Sequence, residues 1–344
     1  MIGWPRISVV VPVLDADGTV RRCIQALLTQ RYPGGYEILV VDNGSSDGTL
    51  AMLAEYQGRI RVLTEPVRGA GAARNTGVRR ARHSLVAFTD ADCVPDPQWL
   101  IELVSRARAC HGADFVGGRI GVYEPSSSLE RFTEQIFDQQ HAIEGSHPPY
   151  AITANLLASR SHLLDLGLFD DREESLVGED VDLSYRGFLF HGSRFAFAER
   201  AVVRHEGITS YAGLFAKGYQ HGRAAAYVCA RYRDHLDLSW GRRCVDPRRY
   251  TRVLAALARS LVRRAERVLG GRWSDTDVVH PLCDAVFNAG KQIGFVISGL
   301  RRRGRRSPVF VTPPSPTQGL GGSTSTAPSL SARGSPSDQP VRTS

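Results

Sequence analysis

The chain has 344 residues, of which 42% are hydrophobic and 23% charged, so it has a globular composition and enough length for one large core or two modest ones. Its net charge of +8 indicates attraction to anions, and its six cysteines lack the spacing of a metal site or a small disulfide framework. No run approaches the roughly 18 apolar residues of a membrane span, so we expect a cytoplasmic protein with reduced thiols, soluble or attached to a surface.

Four short apolar runs lie within the first 90 residues: "ISVVVPV", "YEILVVD", "RIRVLTE" and "SLVAFTD". The segments between them have the spacing of helices. Apolar strands that alternate with helices are typical of parallel βαβ units, which are covered on both faces. The spacing predicts helices over 20–28, from Asp47 as N-cap to Tyr56, and over about 71–82.

The next 150 residues predict further strands and helices. We expect a helix over 99–109 that Asp96 caps, and a strand in "DFVGGRIGVY". "RFAFAERAVVRHEG" predicts two short strands, and "GEDVDLSYRGFLFHG" has helical spacing. Longer helices are predicted over about 128–141 and 211–232.

The chain changes character after Trp240. Two amphipathic segments follow: the first is rich in arginine, and the second, over about 282–300, ends in the arginine cluster at 301–306. Both could pack on the main domain or lie on an anionic membrane surface. From Ser307 the composition is typical of a disordered tail. We therefore predict a domain over 1–238, a basic helical region over 239–306 and a tail over 307–344.

Acidic residues follow the predicted strands. Asp42, Glu65 and Asp90 each end an apolar run, and Asp92 lies two residues after Asp90. In open α/β sheets ligands bind at the carboxyl ends of the strands, and hard divalent cations bridge carboxylates to phosphates. "RGAGAARNTG" also matches part of a dinucleotide fingerprint, but Arg74 stands where the third glycine belongs, so that interpretation is weak.

Five motifs occur in an order that resembles the family 2 glycosyltransferases: "SVVVPVLDADGTVRRCIQALLTQ", "VVDNGSSDGT", "RGAGAARNTGV", "FTDADCVPDPQWL" and "GEDVDLSYR". The resemblance covers about residues 7–235. It implies an α/β fold of the GT-A type, with a nucleotide-binding sheet covered by helices on both faces. It also implies that one sugar moves from a nucleotide diphosphate sugar to a hydroxyl acceptor with inversion.

The resemblance implies a donor site on the matching residues. The residues assigned to the nucleotide are Pro12, Val13, Leu14, Asp15, Asp42, Arg74, Asp90, Ala91 and Asp92. Asp42 would accept a hydrogen bond from the base, and Arg74 would reach toward the base or phosphate. Asp90 and Asp92 match the DxD element that holds Mn²⁺ or Mg²⁺, with Asp92 the direct ligand, Asp90 nearer the ribose and His205 completing the metal site.

The resemblance also implies that the ED pair of "GEDVDLSYR" lies on the acceptor side of the site. Asp180 would be the general base, because an acceptor hydroxyl needs its proton removed during attack, and Glu179 is an alternative base. Asp182 and Arg186 are expected to support the helix.

The expected product is a cell-surface polysaccharide or a lipid-linked glycan. "QHGRA" has alanine where processive relatives have tryptophan, so we expect transfer of single sugars, at the inner face of the plasma membrane if the basic helices bind anionic lipid. The alternative is a non-catalytic nucleotide-sugar-binding protein with the same core. Nucleic acid is not an expected partner, because the basic half lacks interleaved aromatic residues.

Overall fold

A computed structural model describes residues 3–110, 112–171, 178–236 and 276–302, with side chains described over 279–298 in the last of these segments. The first predicted basic segment and the predicted tail over 307–344 lie outside the described residues. The boundaries of the three predicted domains therefore stay predictions.

A single sheet of eight strands forms the centre of the described structure, in the order β3-β2-β1-β4-β7-β6-β8-β5. The strands are β1 (Ile7–Val13), β2 (Tyr36–Asp42), β3 (Arg61–Thr64), β4 (Leu85–Phe88), β5 (Cys93–Pro95), β6 (Phe115–Val122), β7 (Leu156–Ser159) and β8 (Phe195–His205). Strands β1 to β4 are parallel, whereas β7 is antiparallel to both β4 and β6. The predicted α/β fold and its four parallel strands are confirmed.

Nine α-helices surround or extend this sheet in the described ranges. They are α1 (Val20–Leu28), α2 (Thr49–Ala54), α3 (Ala70–Arg80), α4 (Trp99–Ala109), α5 (Ser128–Ile136), α6 (Arg160–Asp165), α7 (Glu179–His191), α8 (Tyr211–Arg231) and α9 (Thr276–Arg302). Helix α1 buries Val20, Cys23, Ile24 and Leu27 because they recur on one face at helical spacing.

Both faces of the sheet are buried. Val9 and Val11 of β1 belong to one hydrophobic cluster, which includes Trp99, whereas Val10 belongs to a second cluster with Phe88. Successive side chains of a strand point to opposite faces, so an uninterrupted apolar strand fits a sheet covered on both sides.

Two helix starts differ from the prediction. Asp96 does not cap α4, whose N-cap is Gln98; instead, the Asp96 carboxylate forms an ion pair with Arg204 of β8. The N-cap of α2 is Gly48, and Asp47 lies one residue earlier, where its Oδ1 accepts a hydrogen bond from the Thr49 N–H at 3.0 Å. The partner of Asp96 thus comes from a distant strand, and the partner of Asp47 is the first residue of α2.

The predicted pair of short strands in "RFAFAERAVVRHEG" is wrong. It is one strand, β8, of which residues 195–198 and 202–205 both pair with β6; the register between the two strands shifts between Gly118 and Arg119. The helix predicted over 128–141 ends at Ile136, and a π-helical turn follows at His141–Gly145.

The predicted helix over 282–300 exists as part of α9, which packs on α8 and α5. The backbones of α8 and α9 touch: a Cβ at Gly222 would lie 1.9 Å from the carbonyl oxygen of Lys291. Only glycine permits so close an approach. Of the two expectations for this segment, packing on the main domain is therefore what the structure shows. Within the described ranges, no helix has both the length and the apolar character needed to cross a bilayer.

Candidate active site

The loops after β1 and β2 are joined by hydrogen bonds at the carboxyl edge of the sheet. Asp15 has a positive φ of 47°, and its Oδ1 accepts the Ser46 N–H at 2.7 Å. The N–H of Asp15 donates to Ser45 Oγ at 3.0 Å. At the end of β2, buried Asp42 accepts the N–H groups of Gly44 and Ser45, each at 3.2 Å. These bonds hold the predicted nucleoside-binding loops in one arrangement before any ligand arrives.

The remaining predicted residues of this loop lie beside Asp42. Val13 is in register with Asp42 across the parallel pair, and Pro12 precedes it. Leu14 exposes 43% of its surface, which makes it the accessible apolar side chain of the group. Their assignment to a nucleoside stays a prediction.

Asn43 organises the neighbouring loop, and the sequence interpretation missed it. Its Nδ2 donates to the carbonyl oxygens of Glu65 and Val67, and its Oδ1 accepts the Gly69 N–H at 2.7 Å. Gly69 is the N-cap of α3. Asn43 therefore fixes where α3 begins. In the sequence, the signal for this role was an asparagine directly after a predicted strand.

Asp90 and Asp92 follow β4 and lie together. Ligand atoms of Asp90, Asp92 and Cys93 are all within 4.8 Å of one another, with Ala91 buried between the two aspartates. Cys93 of β5 is in register with His205 of β8, and this pairing brings His205 Nε2 to 3.1 Å from Asp92 Oδ2. The predicted aspartate pair and histidine are thus one cluster.

The cluster fits a divalent cation. Two carboxylates and an imidazole are donors that Mn²⁺ accepts, and carboxylates suit Mg²⁺. Burial, followed by the charges of Asp92 and Asp90, raises the pKa of the Cys93 thiol, which therefore stays protonated. Its Sγ lies 3.7 Å from Asp92 Oδ1, so Cys93 supports Asp92 as a weak donor and is a poor metal ligand.

Asp92 is ionised and open to solvent. Burial by itself would raise its pKa, but the hydrogen bond and charge of His205, together with the charge of Lys217, lower the pKa below its ordinary value. The Asp92 side chain is 39% exposed. A carboxylate must be ionised and accessible to bind a metal ion, and Asp92 meets both conditions.

Arg74 links two groups of acids. From α3, its Nη2 lies 2.7 Å from Asp90 Oδ1 and its Nη1 lies 2.7 Å from Glu179 Oε1, and its own side chain is 4% exposed. Burial would lower the pKa of Arg74, but its two carboxylate partners raise it. The sequence interpretation directed Arg74 toward a ligand, whereas both of its terminal nitrogens are paired with protein in this structure.

Asp180, which the sequence predicts on the acceptor side, has a raised pKa. It lies in the first turn of α7, after the N-cap Gly178, whose φ of 107° favours glycine. Burial and then the charge of Glu179 raise the pKa of Asp180 to about 6, against the opposing effect of Arg74. Glu179 is paired with Arg74, whereas Asp180 forms no ion pair with any residue that the structure describes. Asp180 is therefore the better placed of the two to accept a proton.

Asp182 supports the helix, as predicted. It is fully buried, and its carboxylate accepts from Arg186 Nε at 2.9 Å and from Tyr232 Oη at 2.7 Å. These bonds join the first turn of α7 to the end of α8. They hold the chain around Asp180 without taking part in the cluster itself.

Comparison with known proteins gives the family. The glycosyl transferase family 2 model matches residues 8–166. The glycosyltransferase AglE of Haloferax volcanii is 34% identical over 231 residues, which cover 65% of this chain and 74% of that protein. The chain is a family 2 glycosyltransferase.

Two further similarities are more limited. The pre-mycofactocin glycosyltransferase of Mycobacterium tuberculosis is 28% identical over 240 residues, and this glycosyltransferase spans only 48% of its length. A mannosyltransferase of Pyrobaculum calidifontis, solved with GDP-Man and Mn²⁺, is 18% identical and superposes with a TM-score of 0.52, covering 89% of this chain and 77% of that one. The latter confirms the GT-A fold of this glycosyltransferase.

Proposed function

We propose that this glycosyltransferase moves one sugar from a nucleotide diphosphate sugar to a hydroxyl acceptor, with inversion and with the help of a divalent metal. One observation carries the proposal: a cluster of Asp90, Asp92 and His205, in which His205 Nε2 lies 3.1 Å from Asp92 Oδ2, is linked through Arg74 to the acid pair that contains Asp180. The Pyrobaculum mannosyltransferase that shares the fold was solved with GDP-Man and Mn²⁺, which supports a donor and a metal of these classes.

Each side of the cluster would have its own task. Asp180 accepts the proton of the acceptor hydroxyl as the hydroxyl oxygen attacks the anomeric carbon, and the bond from that carbon to the diphosphate breaks on the opposite face. Asp92 and His205, with Asp90 beside them, would hold the metal. A divalent ion held there would supply positive charge against the negative charge that develops on the diphosphate. Arg74 keeps the two sides in fixed relation.

The acceptor proposed is a cell-surface or lipid-linked glycan, and the location proposed is the cytoplasmic face of the membrane. The arginine-rich segments after Trp240 and the exposed Ile293 and Val296 of α9 support attachment to anionic lipid. Sedimentation of the full chain with anionic vesicles at low salt tests this. Protein that stays entirely in the supernatant would contradict it.

The donor and metal are tested by calorimetry of UDP, GDP and dTDP, each with Mn²⁺ and with EDTA, on the full chain and on Asp92→Ala. We expect one nucleotide to bind in Mn²⁺ and to lose its affinity both in EDTA and in the variant. Failure of all three nucleotides under every condition would overturn the proposal. Nucleotide binding without any turnover of the matching donor sugars would favour a non-catalytic binding protein.

A further inference from the structure

The chain contains two lysines. Of its 43 basic residues, 41 are arginine, and the two lysines are Lys217 and Lys291. Both lie close to His221: burial, followed by the charges of these two lysines, lowers the pKa of His221 to about 3. His221 is therefore neutral, and the positive charge at this contact of α8 and α9 belongs to the lysines.

Lys217 lies on the side of α8 that faces the aspartate cluster. Its Nζ is 4.8 Å from the centroid of the Phe137 ring, and the His205 ring contacts the same phenyl ring at 4.8 Å. His205 in turn contacts Asp92. The charge of Lys217 also contributes to lowering the pKa of Asp92, so the ammonium is within electrostatic reach of that carboxylate.

The ammonium of Lys217 is held in place but not neutralised. Its contact with the Phe137 ring is of the cation–π kind, and α8 itself is fixed by the backbone contact of Gly222 with α9. Within the part of the chain that the structure describes, Lys217 forms no ion pair and has no further interaction beyond those given. A cation placed beside an acidic cluster without a carboxylate of its own is free to meet an anion there.

The charges of the site leave a role for such a cation. The charge of Arg74 is already shared between the carboxylates of Asp90 and Glu179, each of which contacts one of its terminal nitrogens. A departing nucleoside diphosphate carries more negative charge than one divalent ion neutralises. A second, fixed positive group on the diphosphate would lower the energy of the transition state, in which that charge is forming.

We propose that Lys217 is a substrate-binding residue that contacts the diphosphate of the donor from α8. The proposal rests on the function proposed above and adds a residue to that site. A lysine is suited to this position because its ammonium is a compact charge on a flexible stem, which can turn from the Phe137 ring to a phosphate oxygen.

The first test is calorimetry in Mn²⁺ with UDP and GDP and with the corresponding monophosphates. We expect Lys217→Gln to weaken diphosphate binding by about tenfold or more, since a hydrogen bond to a charged group is lost, and to change monophosphate binding less. Lys217→Arg should recover part of the affinity. Lys291→Gln is the matched control, because it removes the other charge beside His221, and it should change affinity less than about twofold.

The second test uses the scarcity of lysine. Reductive methylation of the wild-type chain, followed by peptide mass spectrometry, reports on Lys217 and Lys291 separately. We expect the diphosphate with Mn²⁺ to protect Lys217 at least about threefold more than Lys291, because a contacted amine is hidden from the reagent.

The outcomes separate this inference from the proposed function. If the wild-type chain binds none of the diphosphates, the proposed function fails and the role of Lys217 fails with it. If the wild-type chain binds a diphosphate but Lys217→Gln binds it equally and Lys217 is not protected, the role of Lys217 is overturned while the proposed function stands.

Discussion

Asp92 and Asp180 are the same residue type in the same site, yet their surroundings give them opposite acidity. The pKa of Asp92 is lowered because His205 and Lys217 outweigh its burial, whereas burial and Glu179 raise the pKa of Asp180 to about 6. When the pKa values of two carboxylates in one site differ in this way, one stays an anion and the other can accept a proton near neutral pH. The surroundings of the two carboxylates, rather than the aspartates themselves, set the two acidities.

The substitution with the largest expected effect removes the proton acceptor. Asp180→Asn should lower kcat by on the order of 10²- to 10⁴-fold, the usual contribution of a general base, and should leave calorimetric nucleotide affinity unchanged. Asp165→Asn, on an exposed aspartate of α6, is the control and should keep full activity. Equal activity of Asp180→Asn and the wild-type chain would remove Asp180 from the mechanism.

The same variant should be more stable than the wild-type chain at pH 8. The folded state binds the Asp180 proton more tightly than the unfolded chain, because the pKa of this carboxyl is about 6 in the folded state and near its ordinary value of 3.8 in the unfolded chain. Ionisation of Asp180 therefore costs folding free energy above about pH 6, and this cost disappears as the pH falls below about 4. Thermal unfolding of both proteins across that range measures the difference, and a lower Tm for the variant at pH 8 would contradict this account.

A smaller but still large effect is expected when the bridge that Arg74 forms between Asp90 and Glu179 is cut. Arg74→Gln leaves two largely buried carboxylates unpaired, which should lower the free energy of unfolding by on the order of 3–5 kcal/mol in urea titrations. Arg74→Lys should lose less, because it keeps the charge but not the fork of two donors. The exposed pair of Arg21 and Glu55 offers a control: Arg21→Gln removes a similar ion pair in solvent and should hardly change stability.

The smallest expected effect is a shift in the pH dependence of activity, which tests how far Glu179 sets the acidity of Asp180. The wild-type kcat/KM should rise with pH through about 6 as Asp180 ionises. Glu179→Gln removes a negative neighbour, which favours the ionised form of Asp180, so this acid limb should move to lower pH by on the order of half to one unit. If Glu179 is the base instead, the variant should lose activity as completely as Asp180→Asn, and no shifted limb will be measurable.

Local patterns in the sequence were sufficient for the first half of the fold. Strands β1 to β4 and helix α1 were predicted because their apolar residues recur at the spacing of the element that they form. The aspartates and the histidine of the site came from the resemblance to a family. The pairing of Asp92 with His205 then depended on the register of β5 with β8, which no local pattern encodes.

The features that sequence reasoning missed are contacts between distant parts of the chain. Arg74 and Glu179 are 105 residues apart, so their ion pair could not be predicted from either motif. Asp96 has the position of a helix cap, but Arg204 of β8 competes successfully for its carboxylate. In the sequence, Lys217 is one polar residue of an amphipathic helix. The packing of α8 brings it close enough for its charge to lower the pKa of Asp92.

The strand order has a consequence for how the chain folds. β6 lies between β7 and β8, and β5 pairs with β8, so the strand that completes this half of the sheet follows the last residue of the 8–166 family match. Glu179, the partner of Arg74, also comes from beyond that point. The sheet and the buried charges of the segment that carries the family signature are completed by residues that follow it in the chain, so we expect the two parts to form and unfold cooperatively.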